Sequence, residues 1–322
     1  MAPRVSVVMP VFNGERFIAE AVESVLASEF DDLELLVLVD GGTTDASAAE
    51  ATRAAAGDAR VRVIDHPHVA PSMARNIGLR EARGDLIANL DSDDVMLPER
   101  LGRQVDFLDA HPECVAVGSR ALVIDAEGRP LQIGVRAFTH EEIDGGHLDG
   151  RGGTIMNPTA TFRREAAARI GGYSEQLLTT GEDFDFWLRL AEVGRLVNLP
   201  DVLIGYRTHD RNASLGDAGR ERRLAVTLEI LARTYARRGI TDRQPAKRKG
   251  PPVRSWERWT DRALLRHFTG NRLESVLAAL VAVSMRPSAP AARAALRTAV
   301  RGRGATGSAA SAPRRRSPRP AP

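Results

Sequence analysis

A chain of 322 residues, 43% hydrophobic and 27% charged, has room for one large cored α/β domain and an appendage. Lys+Arg 45 against Asp+Glu 42 leaves a formal +3, which names no partner, and the single cysteine, Cys114, excludes an internal disulfide and a cysteine-built metal site. No stretch reaches the ~18 uninterrupted apolar residues of a membrane span, and the N-terminal apolar run is too short for a signal peptide. The expectation is a cytoplasmic protein without a nucleic-acid partner, resting if anywhere on the inner face of the cell membrane.

In chain order, Val5 to Met9 is a compact, β-branched run closed by Pro10, which predicts a buried strand. Phe17, Ile18, Ala21, Val22, Val25 and Leu26 repeat at helical spacing. Leu33 to Val39 predicts a second strand, broken by Asp40-Gly41-Gly42, and Thr44 or Asp45 can cap an alanine-rich helix to Ala56. Val61 to Ile64 is a third strand. Pro71 or Ser72 opens a helix, and a fourth apolar run, Asp85 to Leu90, ends in Asp91, Asp93 and Asp94. After Leu97 a helix runs to Ala110 and is stopped by His111-Pro112.

Beyond it, Val115 to Val117, Ala121 to Ile124 and Asn157 to Arg163 read as strands, and the weak, glycine-rich pattern from Arg136 to Gly153 as a loop. Phe184, Trp187, Leu188 and Ala191 share a helical face behind Glu182 and Asp183, which stand where a helix N-terminus stabilises negative charge. Leu196 to Leu199 and Val202 to Tyr206 predict strands at the edge of the domain. Past Gly216 the composition turns Arg-rich. A helical region to about residue 300 is expected, interrupted by a basic linker from Thr241 to Ser255, then a disordered basic tail over 301–322.

Short apolar strands alternating with helices predict a mostly parallel sheet flanked by helices, which binds ligands outside the carboxyl ends of its strands. Phe12-Asn13, Asp40 and Asp91 to Asp94 follow the first, second and fourth strands, and so fall on one edge. Three carboxylates at the end of a buried strand repel one another and lose hydration unless something positive joins them. Asp91 and Asp93 are hard oxygen ligands of the kind Mg²⁺ and Mn²⁺ select, in sites that leave positions open for phosphate oxygens. The plain alternative is a solvated turn capping the next helix.

With these residues in hand the chain resembles the family 2 inverting glycosyltransferases of the glycosyltransferase-A fold, over roughly Arg4 to Ser214. The resemblance rests on Val5 to Asn13, Ala74-Arg75-Asn76, Leu90 to Asp94, Gly181-Glu182-Asp183 and Tyr206-Arg207-Thr208-His209. It implies that the loop from Pro10 through Phe12 to Asn13 receives the nucleotide base, and that Arg75 and Asn76 approach ribose and diphosphate. Asp91 and Asp93 match the family's Asp-x-Asp pair, with Asp93 the direct metal ligand. Asp183 aligns with the acceptor-activating base, and His209 lies where related enzymes place a residue on the metal or the leaving diphosphate. The implied cofactor is Mn²⁺ or Mg²⁺. The implied partners are a UDP-, GDP- or dTDP-sugar and a glycan or lipid-linked acceptor.

One departure stands out. The family usually has two adjacent aspartates after the second strand, and here only Asp40 is present, readable as either the first or the second. The absent carboxylate bears on nucleotide choice, because the second of the pair typically holds the base. Two rival functions use similar parts: a nucleotidyltransferase, which would show a glycine- and Lys/Arg-rich loop after the first strand, and a catalytically silent glycan- or partner-binding scaffold. In the C-terminal region Val276, Leu277, Leu280 and Val281 cluster between Arg272 and Arg286, behind the basic Lys247, Arg248 and Lys249. Such a helix can lie on an anionic bilayer or pack on its own domain.

Overall fold

The computed structural model describes residues 2–177, 180–210, 220–242 and 244–301. Its first part alternates as the sequence predicts: β1 (Val5–Val11), α1 (Ile18–Leu26), β2 (Leu33–Asp40), α2 (Ser47–Ala55), β3 (Val61–His66), α3 (Pro71–Glu81), β4 (Leu86–Asn89), β5 (Val95–Met96) and α4 (Arg100–Ala110). Then follow β6 (Cys114–Ile124), β7 (Pro130–Gly134), α5 (His140–Leu148), a single 3-10 turn (Asn157–Thr159), β8 (Thr161–Arg163), α6 (Arg164–Arg169), α7 (Glu182–Leu190) and β9 (Arg195–Arg207). The rest is helical: α8 (Arg220–Arg238), α9 (Ser255–Phe268), α10 (Arg272–Met285) and α11 (Pro290–Arg301).

The strands form one sheet in the order β3-β2-β1-β4-β8-β6-β9-β5, with β7 on the flank of β6. β1 to β4 are mutually parallel, so the carboxyl ends of β1, β2 and β4 share an edge, while β8 enters antiparallel and turns the sheet mixed. Both faces are covered. Val5, Val7, Met9 and Val11 pack with α1, α2 and α4, and Val8, Leu36 and Leu38 point the other way, toward Ile143 of α5, Ala167 of α6 and Trp187 of α7. Strict alternation along strands apolar on both faces explains why they read as uninterrupted hydrophobic runs.

Four expectations need correction. Of the run Asn157 to Arg163, Asn157–Thr159 forms a 3-10 turn and only Thr161–Arg163 joins the sheet. The segment 136–153 is not a loop: α5 forms there, because Thr139 accepts from the Glu142 backbone while Glu142 reaches back, a reciprocal cap that offsets the helix's glycines. β6 is one strand, not two. β9 is likewise one strand and not an edge. It lies between β6 and β5, and its register against β6 shifts between Ser119 and Arg120, where Pro200 and Asp201 are passed over as a bulge.

The helices after 216 share cores with the sheet. Ile230, Leu231 and Tyr235 of α8 pack on Leu148, Phe184 and Leu188. Ala263, Leu264, Ala278 and Ala299 cover Val95, Leu122, Ile124 and Val202, and Asp261 of α9 pairs with Arg120 and Arg136. The linker lies against the domain at one point, where the Arg248 N–H donates to the Asp149 carbonyl at 2.7 Å. The tail expected over 301–322 falls, after Arg301, outside the described residues.

Candidate active site

The turn after β4 carries the carboxylates, and β9 brings the chain back to them. Arg207, the last residue of β9, is buried: its N–H donates to Asp94 Oδ1 (2.8 Å) and its Nε to the Asp93 carbonyl (2.8 Å). Its Nη1 reaches the Ala126 carbonyl (3.1 Å) and its Nη2 reaches Glu20 Oε2 (2.6 Å). Two residues on, His209 Nε2 meets Asp93 Oδ2 at 2.9 Å, a contact between positions 116 apart in sequence. Phe17, at the start of α1, lies under both, its ring 5.0 Å from that of His209 and 4.8 Å from the Arg207 guanidinium.

A second arginine binds the opposite side. Arg75 of α3 donates from Nη2 to Asp91 Oδ1 (3.3 Å) and from Nη1 to Glu182 Oε1 (3.2 Å), joining the β4 turn to the start of α7. Burial alone would lower the pKa of this guanidinium, but Asp91, Glu182 and Asp183 outweigh it and hold the group firmly charged. Burial raises Asp91 and Glu182, helped by Asp93 and Asp183 respectively and opposed by Arg75. Asp94 rises furthest: it is sealed in, pressed by Asp93 and Asp91, and its Oδ2 has no hydrogen-bond donor.

Asp183 stands beside Glu182 in the first turn of α7, with its Oδ1 accepting from the Phe184 N–H at 2.7 Å. Gly181 before it has φ +84, and a Cβ there would lie 2.9 Å from Val226 and 3.0 Å from Ile230. Only glycine allows α8 to approach so closely while α7 starts at this angle.

The loops after β1 and β2 make the other half of the edge. Pro10 is half-buried near the end of β1, in register with Leu38. Asn13, at φ +50, accepts at Oδ1 from the Thr44 N–H (2.9 Å) and so ties the two loops. Phe12 is 56% exposed, and the ring of His68 lies 5.7 Å from it at a tilt of 32°. Asp40 holds that histidine: its Oδ1 meets His68 Nδ1 at 2.6 Å and accepts from Gly42 N–H, and its Oδ2 accepts from Val69 N–H. Burial raises Asp40, yet these partners outweigh it and keep the carboxyl below its ordinary range. Gly41 follows Asp40 directly. A Cβ there would come within 2.9 Å of the His66 carbonyl and 3.2 Å of the His68 amide, so the packing of the 66–68 segment admits no ordinary side chain.

Of the residues expected here, the structure gathers Arg75, Asp91, Asp93, Asp183 and His209 in one cluster and Pro10, Phe12, Asn13 and Asp40 along the neighbouring loops. Asn76 is not among them. It faces away, with Nδ2 donating to the Tyr173 carbonyl (2.9 Å) and Oδ1 accepting from the Tyr173 N–H (2.8 Å). The sequence reading missed His68, Glu182, Arg207 and Phe17 as members of the site. Arg207 lies within the Tyr-Arg-Thr-His motif, so the signal was present, but nothing local marks an arginine for burial.

The family model of glycosyl transferase family 2 matches residues 6–171, just over half of the chain. The chain belongs to glycosyl transferase family 2. This glycosyltransferase is 34% identical over 212 residues to the putative glycosyltransferase EpsE of Bacillus subtilis (strain 168), covering 64% of the chain and 73% of that relative. It is 29% identical over 209 residues to the amylovoran biosynthesis glycosyltransferase AmsE of Erwinia amylovora, covering 63% and 75%. Among solved structures it shares the fold of S. aureus TarS 1-349 in complex with UDP-GlcNAc (TM-score 0.57, 18% identity, 87% of this chain and 81% of that one). It also shares that of the mannosyltransferase PcManGT from Pyrobaculum calidifontis in complex with GDP-Man and Mn²⁺ (TM-score 0.53, 22% identity, 94% and 80%). The expected glycosyltransferase-A architecture is therefore present.

The pairing of Arg75 with two carboxylates has a direct consequence. Arg75→Met leaves Asp91 and Glu182 facing each other without a cation, and the glycosyltransferase is expected to lose about 3 kcal/mol of stability in urea denaturation at neutral pH. Adding Glu182→Gln restores part of the loss. A stable single variant would show that the guanidinium does not hold this junction together.

Proposed function

We propose that this glycosyltransferase moves a sugar from a UDP-, GDP- or dTDP-sugar to a hydroxyl of a glycan or lipid-linked acceptor, with inversion at the anomeric carbon and with Mn²⁺ or Mg²⁺ as cofactor. The observation that carries the reading is the meeting of Asp93 with His209 at 2.9 Å, beside Asp91 and the acidic start of α7. The residues fit such a cation. A carboxylate and an imidazole are suitable donors, and the burial and mutual repulsion that raise Asp91 and Asp94 are what an added cation would relieve. Among the described residues no three His, Cys, Asp or Glu side chains group into a full protein cage. Mg²⁺ and Mn²⁺ in nucleotide enzymes commonly take one or two protein carboxylates, with phosphate oxygens as further ligands. When bound, the cation would neutralise charge developing on the departing diphosphate.

The chain's own groups divide the remaining work. Phe12 and the His68 ring form a shelf for the base, and Asp40 fixes His68 through Nδ1 so that Nε2 can meet a ligand. Arg75 sets the position of Asp91 and Glu182, and Asn76 holds the 173–175 segment behind them. Asp183 accepts the proton of the acceptor hydroxyl as that oxygen attacks the anomeric carbon, and a single displacement inverts the configuration. Polysaccharide synthesis for the cell envelope agrees with AmsE, named for amylovoran biosynthesis, and with an O-antigen biosynthesis relative, WbnJ of Escherichia coli, 26% identical over 211 residues. No helix among the described residues is long and apolar enough to cross a membrane. We place the enzyme at the cytoplasmic face of the cell membrane, with residues 1–216 as the catalytic unit and the helical region of 217–300 as its cover.

Two experiments separate these roles. A panel of nucleotide sugars screened by thermal shift with Mn²⁺ identifies the donor. Asp183→Asn should keep that shift while turnover with acceptor falls ~10²-fold or more; a parallel loss of donor binding would remove Asp183 from the base role. Phe12→Ala and His68→Ala should each weaken donor affinity up to about tenfold with little change in saturated turnover. Unchanged affinity in both would mean that the base lies elsewhere.

A further inference from the structure

α10 is built inside out. The side it turns to the protein carries mostly small residues, Ser275, Ala278, Ala279 and Ala282, packed against α9 and α11, with Val276 and Val283 partly buried at its margins. The side it turns to solvent carries the large ones: Leu273, Leu277, Leu280, Val281 and Met285, with Leu273 73% exposed. These five make up more than half of the nine large hydrophobic side chains exposed among the described residues, all on one face of one helix. An ordinary covering helix does the reverse, because burying leucine removes far more apolar area from water than burying alanine. A contiguous patch of this kind marks an interaction surface.

Charge identifies the occupant. Between Arg272 and Arg301 the sequence has five arginines and one carboxylate, Glu274. Glu274 is already paired with Arg262 and Arg266. Arg272 and Arg286 flank the stripe at the two ends of α10, and Arg293, Arg297 and Arg301 line the exposed side of α11. A second copy docked symmetrically would set arginine against arginine with no carboxylate to answer. The chain's own residues 302–322 have no leucine, isoleucine, valine, methionine or aromatic side chain to cover the patch. An apolar stripe bordered by arginines fits a surface with an apolar interior and anionic headgroups.

We propose that the outer face of α10, with the arginines of α11, docks the protein on an anionic lipid bilayer. Docking does not depend on the donor or the cation assigned above. The side chains concerned are exposed and unneeded for the core, so they can be changed without unfolding the chain.

The test is flotation of the full chain with vesicles of phosphatidylcholine alone or with one third phosphatidylglycerol, at 50 and 500 mM NaCl. Binding is expected to the anionic vesicles, to weaken at high salt, and to be negligible on neutral ones. The double variant Leu277→Glu/Leu280→Glu, with an unchanged thermal midpoint, should bind ~10-fold or more weakly. Absence of binding to anionic vesicles at low salt would overturn the proposal, as would equal binding by the double variant. So would a concentration-dependent dimer in light scattering that the double variant abolishes, since the stripe would then belong to a second copy.

Discussion

Everything at this site follows from the difficulty of placing carboxylates together at the closed end of a buried strand. Asp91, Asp93 and Asp94 follow β4 within five residues, and α7 adds Glu182 and Asp183. Loss of hydration and mutual repulsion push Asp91, Asp94 and Glu182 toward their neutral forms. Two arginines make the cluster tolerable. Arg75 joins Asp91 to Glu182, and Arg207 binds the turn through the Asp93 carbonyl and Asp94 Oδ1 while anchoring to Glu20 on α1. Their positions require α3 below the turn, β9 returning in register with β6 and β5, and α7 started at the angle Gly181 allows. The architecture on this side of the sheet is the support that keeps negative charge concentrated where we propose that a cation and a diphosphate meet.

The sheet's first half was legible because its signals are local. β1, β2 and β4 are apolar runs of strand length that end in turn residues or acids, and helices between them have a clear stripe. The second half depends on partners far away in sequence. Nothing near Val202 to Tyr206 says that β9 lies inside the sheet, since that follows from pairing with β6 on one side and β5 on the other. The helix α5 was hidden by Gly145 and Gly146, although Thr139 and Glu142 stood three residues apart as its reciprocal cap. Asp93 and His209 were recognisable by motif. The arginines that hold the site were harder to see, because burial of a guanidinium depends on which carboxylates and carbonyls surround it.

The loop after β2 shows how a departure from family pattern has a structural reason. Gly41 lies against the backbone of 66–68, and the retained Asp40 is engaged with His68 and two backbone N–H groups. His68, from the next loop, thus lies beside Asp40. Under the proposed reading this edge offers a base an imidazole, which presents a donor or an acceptor according to tautomer.

We propose that the turn after β4 and the residue two beyond β9 form one cation site completed by a nucleotide diphosphate. Calorimetric titration of Mn²⁺ into the protein with saturating UDP or GDP tests it most directly. The wild-type chain should bind the cation far more tightly with its preferred nucleotide than without any. Asp93→Asn and His209→Ala should each weaken that binding ~10-fold or more, with unchanged circular dichroism. Undiminished, nucleotide-coupled Mn²⁺ binding by both variants would contradict the claim.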